Sequence, residues 1–496
     1  MIELKKVSFR YGSDSGSESG SEDGRAQKEA SLTDVSLSVR DGEFILLTGP
    51  SGCGKTTVLR LINGLIPQFY PGEVTGEIRI DGENTAGREL YDLAPAVGTV
   101  FQNPRTQFYN VDTTGELAFG CENRGMPEEE IYSRIDATVS RFRIESLMDR
   151  SIFRLSDGEK QKIACASVDV SGPGIILLDE PSANLDHGAT LALREMILRW
   201  RAEGKTIVAA EHRIAYLWDL IDRAVILRDG RIVKELSGAE CDGITEGELT
   251  ALGLRSRTME DPADIPLPSF RDGDEPILLR DLRFAYPGTK KAVVGIREMK
   301  LAAGEITAVV GQNGAGKTTF LNCLCGLEGR CGGTLEMKGK RYDRRARRKL
   351  CFMVMQDTGN QLFTESALDE VLISLPKEEP EPEKRAKELL ALLDLGDFAP
   401  RHPQSLSGGQ KQRLAIACAL ASGRKILLFD EPTSGLDHGH MKETAALFEK
   451  LRNMGTTLLV VTHDSELIRA CCTRKTVVSK YEPGAGYPGD GRRGKG

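Results

Sequence analysis

No apolar run in the 496-residue sequence approaches the roughly 18–20 residues that a membrane-spanning helix needs. The start of the chain, MIELKKVSFRYG, also lacks the apolar stretch of a secretory signal, so neither a membrane span nor export is expected. A basic excess is missing as well, because 66 Lys and Arg stand against 73 Asp and Glu, a net charge of −7. This balance argues against a dedicated nucleic-acid-binding protein.

Cys-x-x-Cys pairs are also absent, although the chain has 11 cysteines. The count is odd and most of the cysteines lie in apolar stretches, which favours small buried thiols in a reducing cytoplasm over disulfides. Cys323, Cys325 and Cys331 form the one cluster close enough to consider for a metal, and a metal or redox role is disfavoured there. With 40% hydrophobic and 28% charged residues, the composition is that of a folded globular chain.

Six short motifs occur twice in the same order, which indicates a tandem repeat of one type of domain. In chain order the pairs are an aromatic after the first strand (Tyr11 and Tyr286), a Gly-rich loop ending in Lys-Thr-Thr (Gly49–Thr57 and Gly311–Thr319), a Gln after an apolar run (Gln102 and Gln356), a Leu-Ser-x-Gly segment (Leu155–Gly158 and Leu406–Gly409), an Asp-Glu-Pro segment (Asp179–Pro181 and Asp430–Pro432) and a His (His212 and His463). From the Leu-Ser-x-Gly segments onward the two copies align without a net gap.

These motifs predict a first domain over residues 1–245, a linker over 246–275, a second domain over 276–482 and a flexible tail over 483–496. The first copy carries an insertion, Ser13–Gly24, that is rich in Ser, Gly and acid and has no apolar residue. Such a segment cannot offset its ordering entropy by burial, so a disordered surface loop is predicted. Continuous Val/Ile/Leu runs such as FILLTG and IILLDE predict buried strands of a mostly parallel sheet covered by helices, an α/β nucleotide-binding architecture.

Both Gly-rich loops, GPSGCGKTT and GQNGAGKTT, fit the phosphate-binding pattern G-x-x-x-x-G-K-[ST] between an apolar run and a helical stretch. Their backbone N–H groups and the following helix N-terminus suit a triphosphate. The predicted phosphate-binding residues are Gly49, Ser51, Gly52, Gly54, Lys55, Thr56 and Thr57 in the first copy, and Gly311, Asn313, Gly314, Gly316, Lys317, Thr318 and Thr319 in the second.

Magnesium and water chemistry are predicted at the same places. Thr56 and Thr318 are expected to bind Mg²⁺ together with the carboxylates that end the apolar runs, Asp179 and Asp430. The acids that follow them, Glu180 and Glu431, are placed to act as general bases on the attacking water.

LSGGQKQR at Leu406–Arg413 and its variant LSDGEKQK at Leu155–Lys162, with the loops above, resemble the ATP-binding-cassette (ABC) family over nearly the whole chain. The resemblance implies two P-loop NTPase domains of the ABC type in tandem, each with a helical subdomain, that enclose two ATP molecules head to tail. It further implies adenine stacking by Tyr11 and Tyr286, water and Mg²⁺ sensing by Gln102 and Gln356, and γ-phosphate contacts by His212 and His463. Asp186 and Asp437 would lie in loops that communicate between the sites. Signature contacts to ATP are implied for Ser156, Gly158, Ser407, Gly408, Gly409 and Gln410.

The two signatures differ, since Asp157 and Glu159 stand where the second copy has Gly408 and Gln410. In the implied pairing, the first signature faces the site of Lys317, and acids near a triphosphate are repulsive. We therefore expect this second site to turn over more slowly. The alternative is that both acids face solvent and the two sites are equivalent.

The segments Phe101–Asn123 and Met355–Leu375 resemble the ATPases of energy-coupling-factor (ECF) importers. This implies a position at the cytoplasmic face of the cell membrane, with an integral-membrane scaffold protein and a substrate-binding membrane subunit as partners and no nucleic acid. Candidate interface residues are Gln107, Phe108, Gln361 and Phe363; the alternative is that the two Phe side chains fill the core. Vitamins, their precursors (a thiamin-related one as a guess) or metal ions are the implied solutes.

Other classes of cassette protein remain open. A tandem ATPase of a sugar-type importer has a similar length, but usually one degraded cassette, whereas both acids and both histidines are kept here. A ribosome-associated protein would need a long charged linker and a basic surface, and a DNA-associated one would need coiled-coil insertions. A non-hydrolysing structural protein is disfavoured by two full sets of catalytic residues.

Overall fold

The computed structural model describes residues 1–12, 31–289 and 292–479. The predicted disordered loop Ser13–Gly24 and the predicted tail 483–496 lie outside these residues. The chain divides into two compact units, Met1–Met259 with Gly435–Gly439, and Glu260–Ser434 with His440–Gly496. Over the described residues, none of the helices is both long enough and apolar enough to cross a bilayer.

The described part of the N-terminal unit holds two sheets. Its strands are β1 (Ile2–Tyr11), β2 (Leu32–Val39), β3 (Phe44–Thr48), β4 (Gly72–Ile80), β5 (Glu83–Asn84), β6 (Val97–Val100), β7 (Ile175–Asp179), β8 (Thr206–Ala210), β9 (Arg223–Arg228) and β10 (Arg231–Ser237). The central sheet has the order β10-β9-β3-β8-β7-β6 and is parallel except for the β10–β9 pair. The second sheet, β2-β1-β4-β5, is antiparallel and was not foreseen from the sequence.

Helices flank the central sheet of this unit. They are α1 (Lys55–Ile62), α2 (Leu65–Gln68), α3 (Leu90–Leu93), α4 (Thr113–Glu122), α5 (Glu128–Phe142), α6 (Asp157–Ser171), α7 (His187–Ala202), α8 (Gly238–Gly243) and α9 (Glu246–Ala251). The apolar faces of α4, α5 and α6 pack on one another through side chains such as Leu117, Ile135 and Ile163, and join the core that covers one face of the central sheet. This cluster is the helical subdomain that the resemblance implies.

The described part of the C-terminal unit repeats this plan. Its strands are β11 (Pro276–Phe284), β12 (Val294–Ala302), β13 (Ile306–Val310), β14 (Thr334–Met337), β15 (Lys340–Tyr342), β16 (Cys351–Val354), β17 (Ile426–Asp430), β18 (Thr457–Val461) and β19 (Arg474–Val477). The central sheet, β16-β17-β18-β13-β19, is parallel, and the second sheet, β12-β11-β14-β15, is antiparallel. Its helices are α10 (Lys317–Cys325), α11 (Arg344–Leu350), α12 (Ala367–Leu372), α13 (Pro382–Leu392), α14 (Gly408–Ala421), α15 (His438–Asn453) and α16 (Ser465–Cys471).

The apolar runs form these central strands because both faces of the sheet are covered. All five residues of β3, β7 and β8 are buried, and the same holds for β13, β17 and β18. Register places the ends of neighbouring strands together: Asp179 pairs with Ala210 in one unit, and Asp430 pairs with Val461 in the other. The polar residues that follow these strands therefore meet at the carboxyl edge of each sheet, where open α/β sheets bind ligands.

The cysteines occupy the interior, as predicted. All 11 carry free thiols and are buried. Burial raises the pKa of the Cys241 and Cys325 thiols to about 11, so both are protonated at neutral pH.

Candidate nucleotide-binding sites

The first Gly-rich loop joins β3 to α1 and needs glycine at specific positions. Gly49 has φ +146°, and a Cβ there would lie 2.1 Å from the carbonyl oxygen of Leu227. Gly54 has φ +105°, and its Cβ would lie 2.5 Å from Leu32 Cδ2. The tight loop ends where α1 begins at Lys55, so the unpaired N–H groups of the first turn of α1 close the loop as an anion-binding site.

The lysine of this loop is held by internal partners. Lys55 is buried, and its Nζ donates to the carbonyl oxygens of Gly49 and Pro50, each at 3.2 Å. The same Nζ lies 3.1 Å from His212 Nε2, at the end of β8. Lys55 and His212, which are 157 positions apart in sequence, thus converge at the carboxyl edge of the sheet.

The two acids after β7 have different surroundings. Thr56 Oγ1 donates to Asp179 Oδ1 at 2.8 Å. Glu180 has φ +42°, a left-handed conformation that costs a non-glycine residue of order 1–3 kcal/mol and is found at functional sites. Its Oε2 accepts from Gln102 Nε2 at 2.8 Å, and its Oε1 lies 3.3 Å from His212 Nε2. The predicted base therefore lies within hydrogen-bonding reach of both the glutamine and the histidine.

The C-terminal unit reproduces this arrangement. Lys317 Nζ donates to the Gly311 carbonyl oxygen at 2.7 Å and lies 2.9 Å from His463 Nε2. Thr318 Oγ1 donates to Asp430 Oδ2 at 2.8 Å. The matched partners are Glu431, which has φ +49° and its Oε1 3.4 Å from His463 Nε2, and Gln356, which follows β16 as Gln102 follows β6. Asn313, at the position of Ser51, adds a contact, because its Oδ1 lies 3.1 Å from His463 Nε2.

The threonine–aspartate pairs fit a magnesium ion. Burial raises the pKa of both Asp179 and Asp430, because each carboxylate has lost most of its water, and a bound divalent cation would favour the ionised form. Carboxylate and hydroxyl oxygens are ligands that Mg²⁺ accepts, with phosphate oxygens completing its shell. When bound, the ion would neutralise charge that develops on the phosphates.

The aromatic residues predicted to stack on adenine lie beside the loops. Tyr11 Oη is 3.5 Å from Thr57 Oγ1 and accepts from Arg60 Nη1 at 3.2 Å. Tyr286 Oη is 3.0 Å from Thr319 Oγ1, and its side chain is exposed. Stacking itself stays a prediction.

The two signature segments start helices with the same capping geometry. Ser156 caps α6 and Ser407 caps α14, and each Oγ accepts from the backbone N–H three residues later at 3.3 Å. The difference lies in the third helical residue. Glu159 Oε2 accepts both the backbone N–H and the hydroxyl of Ser156, each at 2.8 Å. Gln410 Oε1 accepts the backbone N–H of Ser407 at 2.9 Å.

Both acids of the first signature have cationic partners. Asp157 Oδ1 lies 3.1 Å from Arg105 Nη2 and 3.4 Å from Lys160 Nζ, and Glu159 Oε1 lies 3.0 Å from Arg150 Nη1. The negative charge that this helix start presents is therefore smaller than the residue types alone imply. Unequal turnover of the two sites remains a hypothesis.

Asp186, which was expected in a loop that communicates between the sites, is the N-cap residue of α7. Its side chain caps α7, since Oδ1 accepts from the backbone N–H of Ala189 at 2.7 Å. Asp437 precedes α15 at the corresponding place.

The four predicted interface residues have different surroundings, and their role in an interface stays a prediction. Gln107 is half-buried, and its Oε1 accepts from the Phe101 N–H at 3.3 Å while its Nε2 donates to the carbonyl oxygen of Ala164 on α6. Gln361 likewise bonds to the backbone of Met355 and Met353. Phe108 packs against the core, as the alternative interpretation held.

When the two copies are aligned on Gln102 and Gln356, the counterpart of Phe363 is Tyr109 and not Phe108. Both side chains are 77% exposed. Their backbone N–H groups each donate at 3.0 Å to a buried carboxylate, Glu116 and Glu370 respectively, which also accepts from the next N–H at 2.9 Å. The sequence signal for these two acids was their matched place near the start of α4 and α12.

Glu211 was also missed. It precedes the predicted histidine, is 1% exposed, and accepts from Tyr216 Oη at 3.1 Å and from the His212 N–H at 2.8 Å. Its counterpart in the second unit is Thr462, so the two sites differ here. Burial is the main cause that raises the pKa of the Glu211 carboxyl above its ordinary value near 4.5.

The raised pKa of Glu211 predicts a pH-dependent stability difference. The folded chain binds the Glu211 proton more tightly than the unfolded chain, so its contribution to stability is complete below about pH 4.5 and is lost as pH rises through the folded pKa. The urea midpoint of the wild type, relative to Glu211→Gln, should therefore fall between pH 5 and pH 8. Tryptophan fluorescence measures it, because both tryptophans, Trp200 and Trp218, lie buried in the N-terminal unit.

A matched control for this test is Glu129→Gln, at an exposed position on α5. Its midpoint should follow that of the wild type at every pH. A difference between wild type and Glu211→Gln that stayed constant or grew with pH would contradict the assignment.

Comparison with known proteins decides the family. The sequence profile described as "ABC transporter" matches residues 32–183 and 296–434, one copy in each unit. The chain belongs to the ABC transporter family. Its cassettes are therefore ATP-hydrolysing domains, and ATP with Mg²⁺ is the cofactor set of this family.

Relatives of similar length share both cassettes. A protein of Treponema denticola named "Putative ABC transporter ATP-binding protein" is 42% identical over 97% of this chain and 95% of its own length. A protein of the same name from Methanosarcina mazei is 32% identical over 91% of this chain and 85% of its own.

Among solved structures, the chain is similar to the archaeal ribosome recycling factor aABCE1, which was solved in complex with the ribosomal stalk protein aP1. The TM-score is 0.60 at 23% identity, and the match covers 91% of this chain and 85% of that one. A structure titled "RNase-L Inhibitor" gives the same TM-score at 22% identity, covering 90% and 85%. At this identity the likeness concerns the fold, two ABC ATPase cassettes in tandem.

Proposed function

We propose that this ABC ATPase energises an importer of the energy-coupling-factor type at the cytoplasmic face of the cell membrane. The partners would be an integral-membrane scaffold protein and a small substrate-binding membrane subunit, encoded as separate chains. ATP hydrolysis at the two cassettes would drive uptake of a vitamin, a vitamin precursor or a metal ion. The Gly-rich loops, Asp179, Glu180 and His212, with their counterparts in the second unit, supply the hydrolytic machinery for this role.

The observation that carries the proposal is an exposed aromatic side chain in the loop that follows Gln102 or Gln356 in each cassette. Tyr109 and Phe363 occupy equivalent positions and leave most of their surface in water. Tyr109 stacks on Phe119 with ring centroids 5.0 Å apart, and the exposed Val111 lies two residues on. Exposed apolar groups that recur at equivalent positions in both copies favour a surface that binds another protein.

The loops that present these side chains are held from inside. Glu116 and Glu370 each receive two backbone N–H groups of the loop, so the aromatic residue projects from a fixed backbone rather than from a loose turn. A preorganised aromatic anchor is the kind of group that dominates protein interfaces.

Capture from native membranes tests the proposal. The tagged chain is incubated with detergent-solubilised membranes of its own organism, and retained proteins are identified by mass spectrometry. The wild type should retain a pair of multi-spanning membrane proteins, and Tyr109→Ser/Phe363→Ser should retain at least fivefold less. Tyr132→Ser removes an exposed tyrosine from α5 and should retain as much as the wild type.

Two outcomes would contradict the proposal. Retention of ribosomal proteins in place of membrane proteins would favour a soluble role for the chain. Equal retention of membrane proteins by the wild type and the double variant would show that the aromatic side chains do not form the interface.

A further inference from the structure

The two cassettes tie the Gln loop to the signature helix in different ways. In the N-terminal unit the Gln loop (residues 101–112) begins at the end of β6 and reaches the first turn of α6. There Arg105 Nη2 lies 3.1 Å from Asp157 Oδ1. Because Gln102, three residues before Arg105, donates to Glu180, one short loop touches both the predicted general base and the signature helix.

The C-terminal unit has neither charge of this pair. The residues at the matched positions are Gly359 and Gly408, so no ion pair can form there. Instead, Gln404 Nε2 donates to the carbonyl oxygens of Gly359 at 2.9 Å and Leu362 at 3.1 Å. Lys411 Nζ in turn donates to Gln404 Oε1 at 3.1 Å, which fixes the amide.

The counterpart of Gln404 in the N-terminal unit is Phe153, whose side chain is exposed. It has no polar group that could bond to the loop. Thus Arg105 and Asp157 are both present where the glutamine is missing, and both are replaced by glycine where the glutamine is present. The three differences are explained together if each cassette needs one contact between the middle of the Gln loop and the start of the signature helix. The bond from Gln107 to Ala164 is separate, since it reaches α6 beyond its first turn.

We propose that Arg105 and Asp157 are positioning residues that hold the Gln102 loop against the signature helix of the N-terminal cassette, and that Gln404 performs this task in the C-terminal cassette. Arg105 influences hydrolysis indirectly, by fixing the loop that carries Gln102. Asp157 does so by fixing the helix start that carries Ser156. Both charged side chains are partly exposed, so salt screens their attraction. Gln404 makes uncharged contacts to the loop that salt affects little. ATP hydrolysis should therefore depend on a salt-sensitive ion pair, Arg105–Asp157, in the first cassette. In the second cassette it should depend on the hydrogen bonds of Gln404, which salt affects little.

A charge-swap cycle tests this. ATPase rates of the full chain are measured for the wild type, Arg105→Glu, Asp157→Arg and the double variant, at 50 and 500 mM potassium chloride. Arg105→Glu places two acids together and should lower kcat by roughly two- to fivefold, the range that an exposed ion pair supports. The double variant should recover to within about twofold of the wild type, and this coupling should vanish at high salt. Effects that multiply independently at low salt would overturn the proposal.

A graft supplies a second readout. The variant Phe153→Gln/Arg105→Gly/Asp157→Gly copies the residues of the C-terminal cassette into the N-terminal one. It should regain the activity that Arg105→Gly/Asp157→Gly loses, and its rate should no longer carry the salt-sensitive component. Failure of the added glutamine to restore activity would contradict the shared task.

Hydrogen exchange distinguishes positioning from loss of folding. Peptides covering residues 101–112 should exchange faster in Arg105→Glu and return to the wild-type rate in the charge-swapped double variant. Peptides from β3 and β7 should be unaffected in every variant. Unchanged exchange of the loop in Arg105→Glu would overturn the proposal.

Discussion

Replacing Glu180 and Glu431 together by glutamine should lower the ATPase rate of the chain by about 10²-fold or more, while ATP binding is kept. General-base catalysis contributes roughly 10²–10⁴-fold, and a neutral amide cannot accept the proton of the attacking water. Both carboxylates sit at positive φ, with an oxygen 3.3 or 3.4 Å from a histidine nitrogen. Glutamine retains the shape and an acceptor oxygen, so these contacts and the fold should persist.

The single variants compare the two sites. In the head-to-tail pairing that the family resemblance implies, the site of Glu180 uses the intact signature of Ser407, and the site of Glu431 uses the acidic signature of Ser156. We expect Glu180→Gln to cost more activity than Glu431→Gln. Rates are measured at saturating ATP beside Glu129→Gln, an exposed control that should match the wild type.

Equal losses of ATPase activity in Glu180→Gln and Glu431→Gln would contradict unequal turnover of the two sites. They would leave the general-base role of the two glutamates unaffected. This outcome has a physical basis, because Arg105, Lys160 and Arg150 already balance the two acids of the first signature. Full activity in the double variant would contradict the general-base assignment itself.

The second large effect concerns stability. Asp169→Ala should lower the free energy of unfolding of the N-terminal unit by about 3 kcal/mol, because it leaves the buried Thr138 hydroxyl and the buried Trp200 N–H without their acceptor. Asp169 on α6 is 7% exposed. It accepts from Arg141 Nη1 at 2.9 Å and Thr138 Oγ1 at 2.6 Å, both on α5, and from Trp200 Nε1 on α7 at 2.8 Å.

Urea unfolding followed by tryptophan fluorescence measures this loss. Asp169→Asn keeps an acceptor oxygen and should cost less than the alanine variant. Asp136→Ala, an exposed position on α5, should change stability by less than about 0.5 kcal/mol. A loss at Asp169→Ala no larger than that of Asp136→Ala would show that the three-helix network does not stabilise the unit.

Local patterns were sufficient to predict the central sheets and the family. The buried strands β3, β7 and β8 are continuous apolar runs, and such runs end at the polar residues of a parallel sheet edge. The strands β1 and β11 were expected before Tyr11 and Tyr286, but the antiparallel sheets that they join were not foreseen. Their pairing depends on partners distant in the sequence, such as β4 for β1 and β14 for β11.

Contacts between distant residues explain what the sequence left open at the site. Nothing in the sequence shows that Arg105 faces Asp157, or that Glu116 lies under the backbone of Tyr109. The burial of Glu211 depends on Ser182 and Tyr216, which arrive from other segments. Alignment of the two copies by position would have paired Tyr109 with Phe363, but the side-chain type drew attention to Phe108.

Flotation of the chain in a native extract tests the central proposal most directly. An extract that contains membranes and ribosomes is loaded below a sucrose gradient with the Glu180→Gln/Glu431→Gln chain and ATP, and the chain is quantified in each fraction. The proposed importer role predicts that the chain floats with the membrane vesicles and that Tyr109→Ser/Phe363→Ser abolishes flotation. A chain that sediments with ribosomes, or that stays at the load position, would contradict it.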